Sequence, residues 1–325
     1  GGTSAIDGFI KLTKVAPEHF DMILTKGKTL IPDGQGGVKD AYLDLPGISV
    51  LIGGMWVANL YYWGCNQFII QRALAAKSVA EAQKGLVFAG FLKLLLPLIV
   101  VIPGIVAFAL NADIAKSDEA YPWLLYHIVP TGIKGLAFAA LVAAIVGAVA
   151  GMLNSISTIF TMDIYQSYVN KQASQAKLVR VGRISAAVAL LVAFPIAIML
   201  QNLDQAFQFI QEFTGFVSPG ALAIFLLGFF WKRATANGAL LAAIGTFVFS
   251  LLMKWLLPEL PFMDRMGLVF ILCVLVMVAS AMVERTKETG KAIELSPELF
   301  NTTRGFKVAA AIIVVVLIAI YVGWW

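Results

Sequence analysis

Trp56-Val-Ala-Asn-Leu-Tyr-Tyr-Trp-Gly-Cys-Asn-Gln-Phe-Ile-Ile-Gln-Arg72 continues an apolar run that opens near Ile48, so its segment is long enough to cross a bilayer. Inside that segment lie the amides Asn59, Asn66 and Gln67, the aromatics Tyr61, Tyr62 and Trp63, and a helix-weakening Gly64. Amides in hydrocarbon are costly unless they face a partner or a wet cavity, so an intramembrane polar stripe marks a candidate site. Helical spacing puts Asn59, Tyr62, Trp63 and Asn66 on one face. Amide groups beside flat aromatic surfaces suit a neutral polyhydroxylated ligand such as a sugar. They equally suit helix–helix glue with an interfacial aromatic belt. The stretch alone leaves both readings open.

The remaining composition fixes the class. The chain is 60% hydrophobic and 13% charged, with a mean hydropathy of +0.85, which describes an all-α polytopic membrane protein. In such a protein the formal charge of +5 is no nucleic-acid footprint, because the placement of basic residues matters more than their sum. Cys65 and Cys273 both lie in apolar segments, which suggests neither a disulfide scaffold nor a metal site. His19 and His127 read as solvated loop residues. Gly1 is not a natural start and no signal peptide is visible, so the chain reads as the C-terminal part of a longer protein.

Residues 1–45 are polar with Pro17, Pro32 and Gly34–Gly37, and read as an extracytoplasmic loop with a short amphipathic helix around Gly8–Leu12. Eight apolar segments follow, at about 46–70, 85–110, 133–165, 180–201, 204–231, 235–257, 266–284 and 305–325. The third is rich in small residues, which let helix backbones approach, so it should be buried in the bundle. Connections 71–84, 166–183, 232–238 and 285–307 hold Arg72, Lys77, Lys84, Lys171, Lys177, Arg180, Arg183, Lys232, Arg233, Arg285, Lys287, Lys291, Arg304 and Lys307. The opposite set, 111–131, 202–204 and 258–265, holds only Lys116 and Arg265. By the positive-inside rule the first set is cytoplasmic, with residues 1–45 and the C-terminal Gly-Trp-Trp outside.

No nucleophile-plus-base pair, metal spacing or phosphate loop points to an enzyme. Three polar groups on different segments stand out: Asn59, Lys93 and Gln211. Lys93 falls roughly two turns into a helix that begins near Gly85, where either a ligand role or snorkelling to the headgroups would suit it. Gln211 and Glu212 fit a site near the outer mouth or plain hydration there. Gly64 and Pro219-Gly220 are prone to interrupt helices, and transporters bind substrate where helices break.

Longer patterns narrow this. Asn-Leu-Tyr-Tyr-Trp-Gly-x-Asn-Gln-x-Ile-Ile-Gln-Arg at 59–72, followed by Leu-Ala-Ala-Lys-Ser, begins them. Asn-Ser-x-Ser-Thr-Ile-Phe-Thr-Met-Asp-Ile-Tyr lies at 154–165, Ala-Phe-Gln-Phe-Ile-Gln-Glu-Phe-Thr-Gly at 206–215, and Phe-Trp-Lys-Arg-Ala-Thr-x-x-Gly-Ala at 230–239. With these motifs the chain resembles the solute:sodium symporter family, most closely its bacterial sodium/galactose branch, along essentially its whole length. The resemblance implies a leucine-transporter-like inverted-repeat fold. Residues 46–231 would be the second five-helix repeat and 232–325 three peripheral helices, with the first repeat missing from this chain. It implies sodium-coupled sugar symport by alternating access in the inner membrane. Sugar, sodium ion and lipid bilayer would be the partners, and the missing repeat of the same polypeptide would complete the core. Family relatives carry inositol, carboxylates, amino acids or vitamins instead, and a transporter-like sensor is the rival from another class.

Carried over by resemblance, Asn59, Lys93 and Gln211 would hydrogen-bond sugar hydroxyls and Tyr62 would stack on the ring as the inner gate. Trp63 would support Tyr62, and Phe207 would belong to the outer gate. The family's sodium site would use the carbonyl of Ala144 and two hydroxyls at 147 and 148, but this chain has Gly147 and Ala148 there, with Gly151 a turn on. A hard cation needs oxygen ligands. Either sodium coupling is weakened or absent, or water and backbone carbonyls complete the shell. Asp163 is expected to pair with a basic residue such as Arg72 or Arg180.

Overall fold

The computed structural model describes residues 4–32, 37–44, 47–114, 116–200, 206–285, 292–294, 296 and 300–324. The expected connection at 202–204, and Lys287 and Lys291 in the 285–307 connection, lie outside these residues. Among the described residues the protein is helical apart from one two-stranded hairpin, Leu30–Pro32 (β1) against Val38–Asp40 (β2). Seven helices are long and apolar enough to cross a membrane, and an eighth span results if the bent pair at Gly53 counts as one. The protein is an all-α polytopic membrane protein.

The leading loop holds helix α1, Ala5–Val15, started by the Ser4 hydroxyl, which accepts the Asp7 amide. It extends beyond the short helix expected around Gly8–Leu12 at both ends. The first apolar segment is three pieces: α2 (Ile48–Ile52), α3 (Gly54–Gly64) and α4 (Gln67–Leu74). The second begins at Val79, not Gly85. Ser78 caps α5 (Val79–Leu94) by accepting the Glu81 amide, a Ser-x-x-Glu start. A π turn at Pro97–Val101 then interrupts it before α6 (Ile102–Ala109), because Pro97 has no N–H to give. Next come α7 (Ala120–His127), α8 (Thr131–Thr158) with a π-helical continuation to Val169, and α9 (Gln175–Leu200). The rest is α10 (Ala206–Thr214), α11 (Ser218–Phe230), α12 (Ala236–Leu256), α13 (Phe262–Val283) and α14 (Arg304–Gly323).

Contacts gather these elements into two compact units, Gly1–Pro97 with Phe207–Trp325, and Leu98–Ala206. The first is centred on α3, α11, α12 and α13, with Ala223, Ala242, Val269, Cys273 and Met277 buried together. Small residues allow that packing. A Cβ on Gly54 would run into the Met263 carbonyl, and one on Gly220 would lie 2.6 Å from Thr246 Cβ. Where the α10–α11 run loosens, Thr246 Oγ1 donates to the Phe216 carbonyl at 2.9 Å and accepts the Gly220 amide at 3.2 Å. One hydroxyl thus serves backbone groups on both sides of the interruption. The interruption falls at Gly215–Val217, ahead of the expected Pro219-Gly220, because proline is tolerated in the first turn of α11.

The ends of this unit sort as the charge pattern anticipates. The Met22 amide donates to the Trp324 carbonyl, and Lys26 pairs with Glu259, so the leading loop, the 258–265 connection and the C-terminus share one end. At the other, Gln83 bonds the backbone of Asn301 and Thr303, and Thr235 bonds Glu284.

In the second unit α8 packs on α9, where Ser157 Oγ donates to the Gly182 carbonyl at 2.9 Å. Within this unit most of the rest of α8 is exposed, and its small residues meet α9 along one face. Small side chains permit close approach but supply no partner, and within this unit only one face finds one.

Candidate functional site

Helix α3 carries the first candidates. Asn59, Tyr62 and Trp63 stand at i, i+3 and i+4, and the Tyr62 and Trp63 rings meet edge to face at 5.5 Å. Asn59 Nδ2 donates to the Met55 carbonyl one turn back, at 2.9 Å. Its side-chain oxygen has no protein partner among the described residues. Asn66 does not continue this face. The helix ends at Gly64, and Asn66 Oδ1 instead accepts the Phe68 amide as the cap of α4.

Lys93 sits four turns into α5 rather than two, because that helix starts at Val79. From the Lys84–Glu81 pair to Lys93 is about 14 Å along the axis, farther than a lysine side chain spans. Its ammonium lies 4.8 Å from the Trp63 ring centre and 6.0 Å from that of Tyr62. No carboxylate pairs with it among the described residues. Lys93, Tyr62 and Trp63 therefore form one aromatic–cation cluster, with Asn59 a turn away on the same helix.

Gln211 and Phe207 share a face of α10. Phe207 is 72% exposed, Gln211 is half-buried, and the Gln211 side chain has no hydrogen bond among the described residues. No bond or ring contact joins this pair to Lys93 among the described residues, so the structure brings together three of the four predicted sugar contacts and sets the fourth, Gln211, with the predicted gate residue Phe207 on a separate half helix. Glu212 is not simply hydrated. Its Oε1 accepts from Arg265 at 2.8 Å and Lys254 at 2.9 Å. Arg265, expected in a connection, belongs to α13 and is buried.

In the second unit Ala144, Gly147 and Ala148 follow one another on α8. None has a side-chain oxygen, but a Cβ on Gly147 would meet nothing within 4 Å, so a serine would fit there. Asp163 forms no ion pair among the described residues, so the expected pairing with Arg180 is absent. His127 is not a loop residue. It ends α7 with its ring stacked on Trp123 at 4.3 Å. A cleft between α8 and α9, lined by Asn154, Ser157, Thr161 and Arg183 among others, contains none of the predicted sugar or sodium positions.

Comparison with known proteins decides the family. The model of the sodium:solute symporter family matches residues 1–245. The chain belongs to the sodium:solute symporter family. A sodium/glucose cotransporter of Vibrio parahaemolyticus is 47% identical over 345 aligned residues, which cover 100% of this chain and 61% of the relative. The uncharacterized symporter YidK of Escherichia coli (strain K12) is 31% identical over 99% of this chain and 54% of its own length. The human sodium/myo-inositol cotransporter is 36% identical over 60% of this chain and 30% of its own length. The chain thus spans about three fifths or less of each of these relatives.

The motif at 59–72 supplies the second half of α3, its break and the cap of α4. What the motifs did not reveal is the ionic anchoring of Glu212. Its partners lie far along the chain, and the one local signal is that Gln208 and Glu212 stand four apart.

Proposed function

We propose that this chain is the sugar-binding and gating part of a sodium-coupled symporter that works by alternating access in the inner membrane, with the C-terminus outside. The observation that carries this reading is the cluster of Lys93 on the Trp63 and Tyr62 faces, with Asn59 one turn away. An ammonium and an amide oxygen serve hydroxyls, while an aromatic face covers the apolar C–H side of a pyranose. Gln211 adds a third hydrogen-bonding group, Tyr62 closes the inner side and Phe207 the outer. Residues 46–231 act as the second repeat of the core, residues 232–325 as peripheral helices, and the first repeat comes from the remainder of the polypeptide.

A second reading keeps the sugar and loosens the ion. It is favoured by Gly147 and Ala148, which leave only backbone carbonyls such as that of Ala144 to meet sodium. Myo-inositol, named in the human relative, is the first competing cargo to test.

Uptake of labelled galactose and glucose into proteoliposomes of the full-length protein, with and without an inward sodium gradient, separates these readings. Coupled sugar symport requires uptake that needs sodium and falls in Asn59→Ala and Gln211→Ala. Uptake indifferent to sodium would retain the sugar site and discard the coupling. No sugar uptake would overturn the cargo and turn attention to inositol and carboxylates.

A further inference from the structure

Four residues of α10 fall into two neighbouring rows. Phe207 and Gln211 lie four apart on one face. Gln208 and Glu212, each one position further, form a second row about 100° around the helix. That second row is tied down. Gln208 Nε2 donates to Asp44 Oδ1 at 3.4 Å, and Asp44 is itself paired with Lys39 at 2.7 Å. Glu212 Oε1 receives both Arg265 and Lys254. Arg265 is 6% exposed, with its guanidinium carbon 5.9 Å from the Phe216 ring centre just past the end of α10. The first row, by contrast, has no side-chain hydrogen bond among the described residues.

A charge as buried as Arg265 is strongly destabilising without its counter-ion. The oxygen that supplies it belongs to the half helix carrying Gln211. Just past the end of α10 a Cβ on Gly215 would lie 3.1 Å from Met266 Sδ, so the turn there lies beside the Met266 side chain of α13. Tethers at Gln208 and Glu212, one turn apart on a nine-residue helix, constrain its rotation about its own axis as well as its place.

We propose that Gln208 and Glu212 are positioning residues, whose tethered row sets the rotation of α10 and so presents Gln211, with Phe207, to the sugar. Neither touches substrate. This inference rests on the sugar-transport reading above and adds to it the means by which a half helix beside an interruption keeps its register.

The test uses the full-length protein in proteoliposomes. Glu212→Gln removes the charge at constant size. Gln208→Ala removes the other tether without leaving a buried charge unpaired, and decides the matter if Glu212→Gln does not reach the membrane. The half-saturation concentration for sugar should rise about tenfold in Glu212→Gln and about threefold in Gln208→Ala, with maximal rate within about twofold and partial recovery in Glu212→Asp. In a Gln211→Ala background neither substitution should raise it further, because the group they position is gone. Additive effects in that background would overturn the proposal. A second arm reads position without transport, as the alkylation rate of Phe207→Cys by a charged thiol reagent above the background of Cys65 and Cys273. Loss of either tether should change that rate by about threefold or more, and an unchanged rate would overturn the anchoring. A shifted rate, where the full-length protein without substitutions takes up no sugar, would overturn the transport reading and leave the anchoring supported.

Discussion

Lys93 is a cation in an apolar helix whose close company is two aromatic faces rather than a carboxylate. Such contacts are worth about 0.5–2 kcal/mol, so they hold the ammonium in place without locking it. Lys93→Met is therefore expected to leave folding largely intact and to raise the half-saturation for sugar by about tenfold or more, a loss of about 1.4 kcal/mol, measured by uptake. Thr246 is expected to behave in the opposite way. Thr246→Val strips the partner from a carbonyl and an amide at the α10–α11 interruption, and should lower stability by about 1–3 kcal/mol, read as a drop in melting temperature in detergent. Thr246→Ser should keep most of it. At this scale the sequence exposed the chemistry and hid the partners. Asn59, Tyr62 and Trp63 could be grouped because they share one helix. Helical spacing also places Asn66 in that group, wrongly, since periodicity does not announce where a helix stops. For Glu212 the sequence leaves a site near the outer mouth and plain hydration both open, because nothing local points to Arg265, a residue 53 positions away.

Element boundaries follow from caps, and caps decide how deep a side chain sits. The Ser78-x-x-Glu81 start is legible in the sequence and places the beginning of α5 at Val79 rather than Gly85, and Lys93 correspondingly deeper. The break after α3 depends on Asn66 in the same way. Asn66→Ala is expected to destabilise the start of α4 by about 1 kcal/mol, and Asn66→Asp to restore it, as judged by thermal melting. Helix contacts offer a sharper test. Gly54→Ala drives a methyl into the Met263 carbonyl and should cost about 1–3 kcal/mol, seen as lower yield and lower melting temperature. Gly64→Ala meets nothing within 4 Å and should pack without penalty.

For the whole molecule, apolar content established a polytopic membrane protein and hydropathy located its segments to within a few residues. Their subdivision did not follow, because a helix interruption inside hydrocarbon leaves mean hydropathy unchanged. Nor could small residues alone tell which face of α8 finds a neighbour. The ion is the property on which sequence and structure bear together. Gly147 has room for a side chain and lacks the oxygen that sodium would want. Gly147→Ser with Ala148→Ser in the full-length protein is expected to lower the sodium half-saturation of sugar uptake by several-fold, about 1 kcal/mol. An unchanged value would remove these positions from the ion site.

The glycine contacts of the first unit bear on how it would respond to its lipid. Gly54 against Met263, Gly220 against Thr246, and Gly267, where a Cβ would lie 3.3 Å from the Gly54 amide nitrogen, hold α3, α11, α12 and α13 by contact at or near the backbone. Acyl chains neither supply nor compete for such contacts, so the block should keep its shape as bilayer thickness changes. The run from Thr131 to Val169 has 39 residues, about 58 Å at helical rise, against a hydrocarbon core of about 30 Å. In thin membranes it is this long helix, with its π-helical end, that has to tilt or reach further into water, while the glycine-stitched block stays as it is.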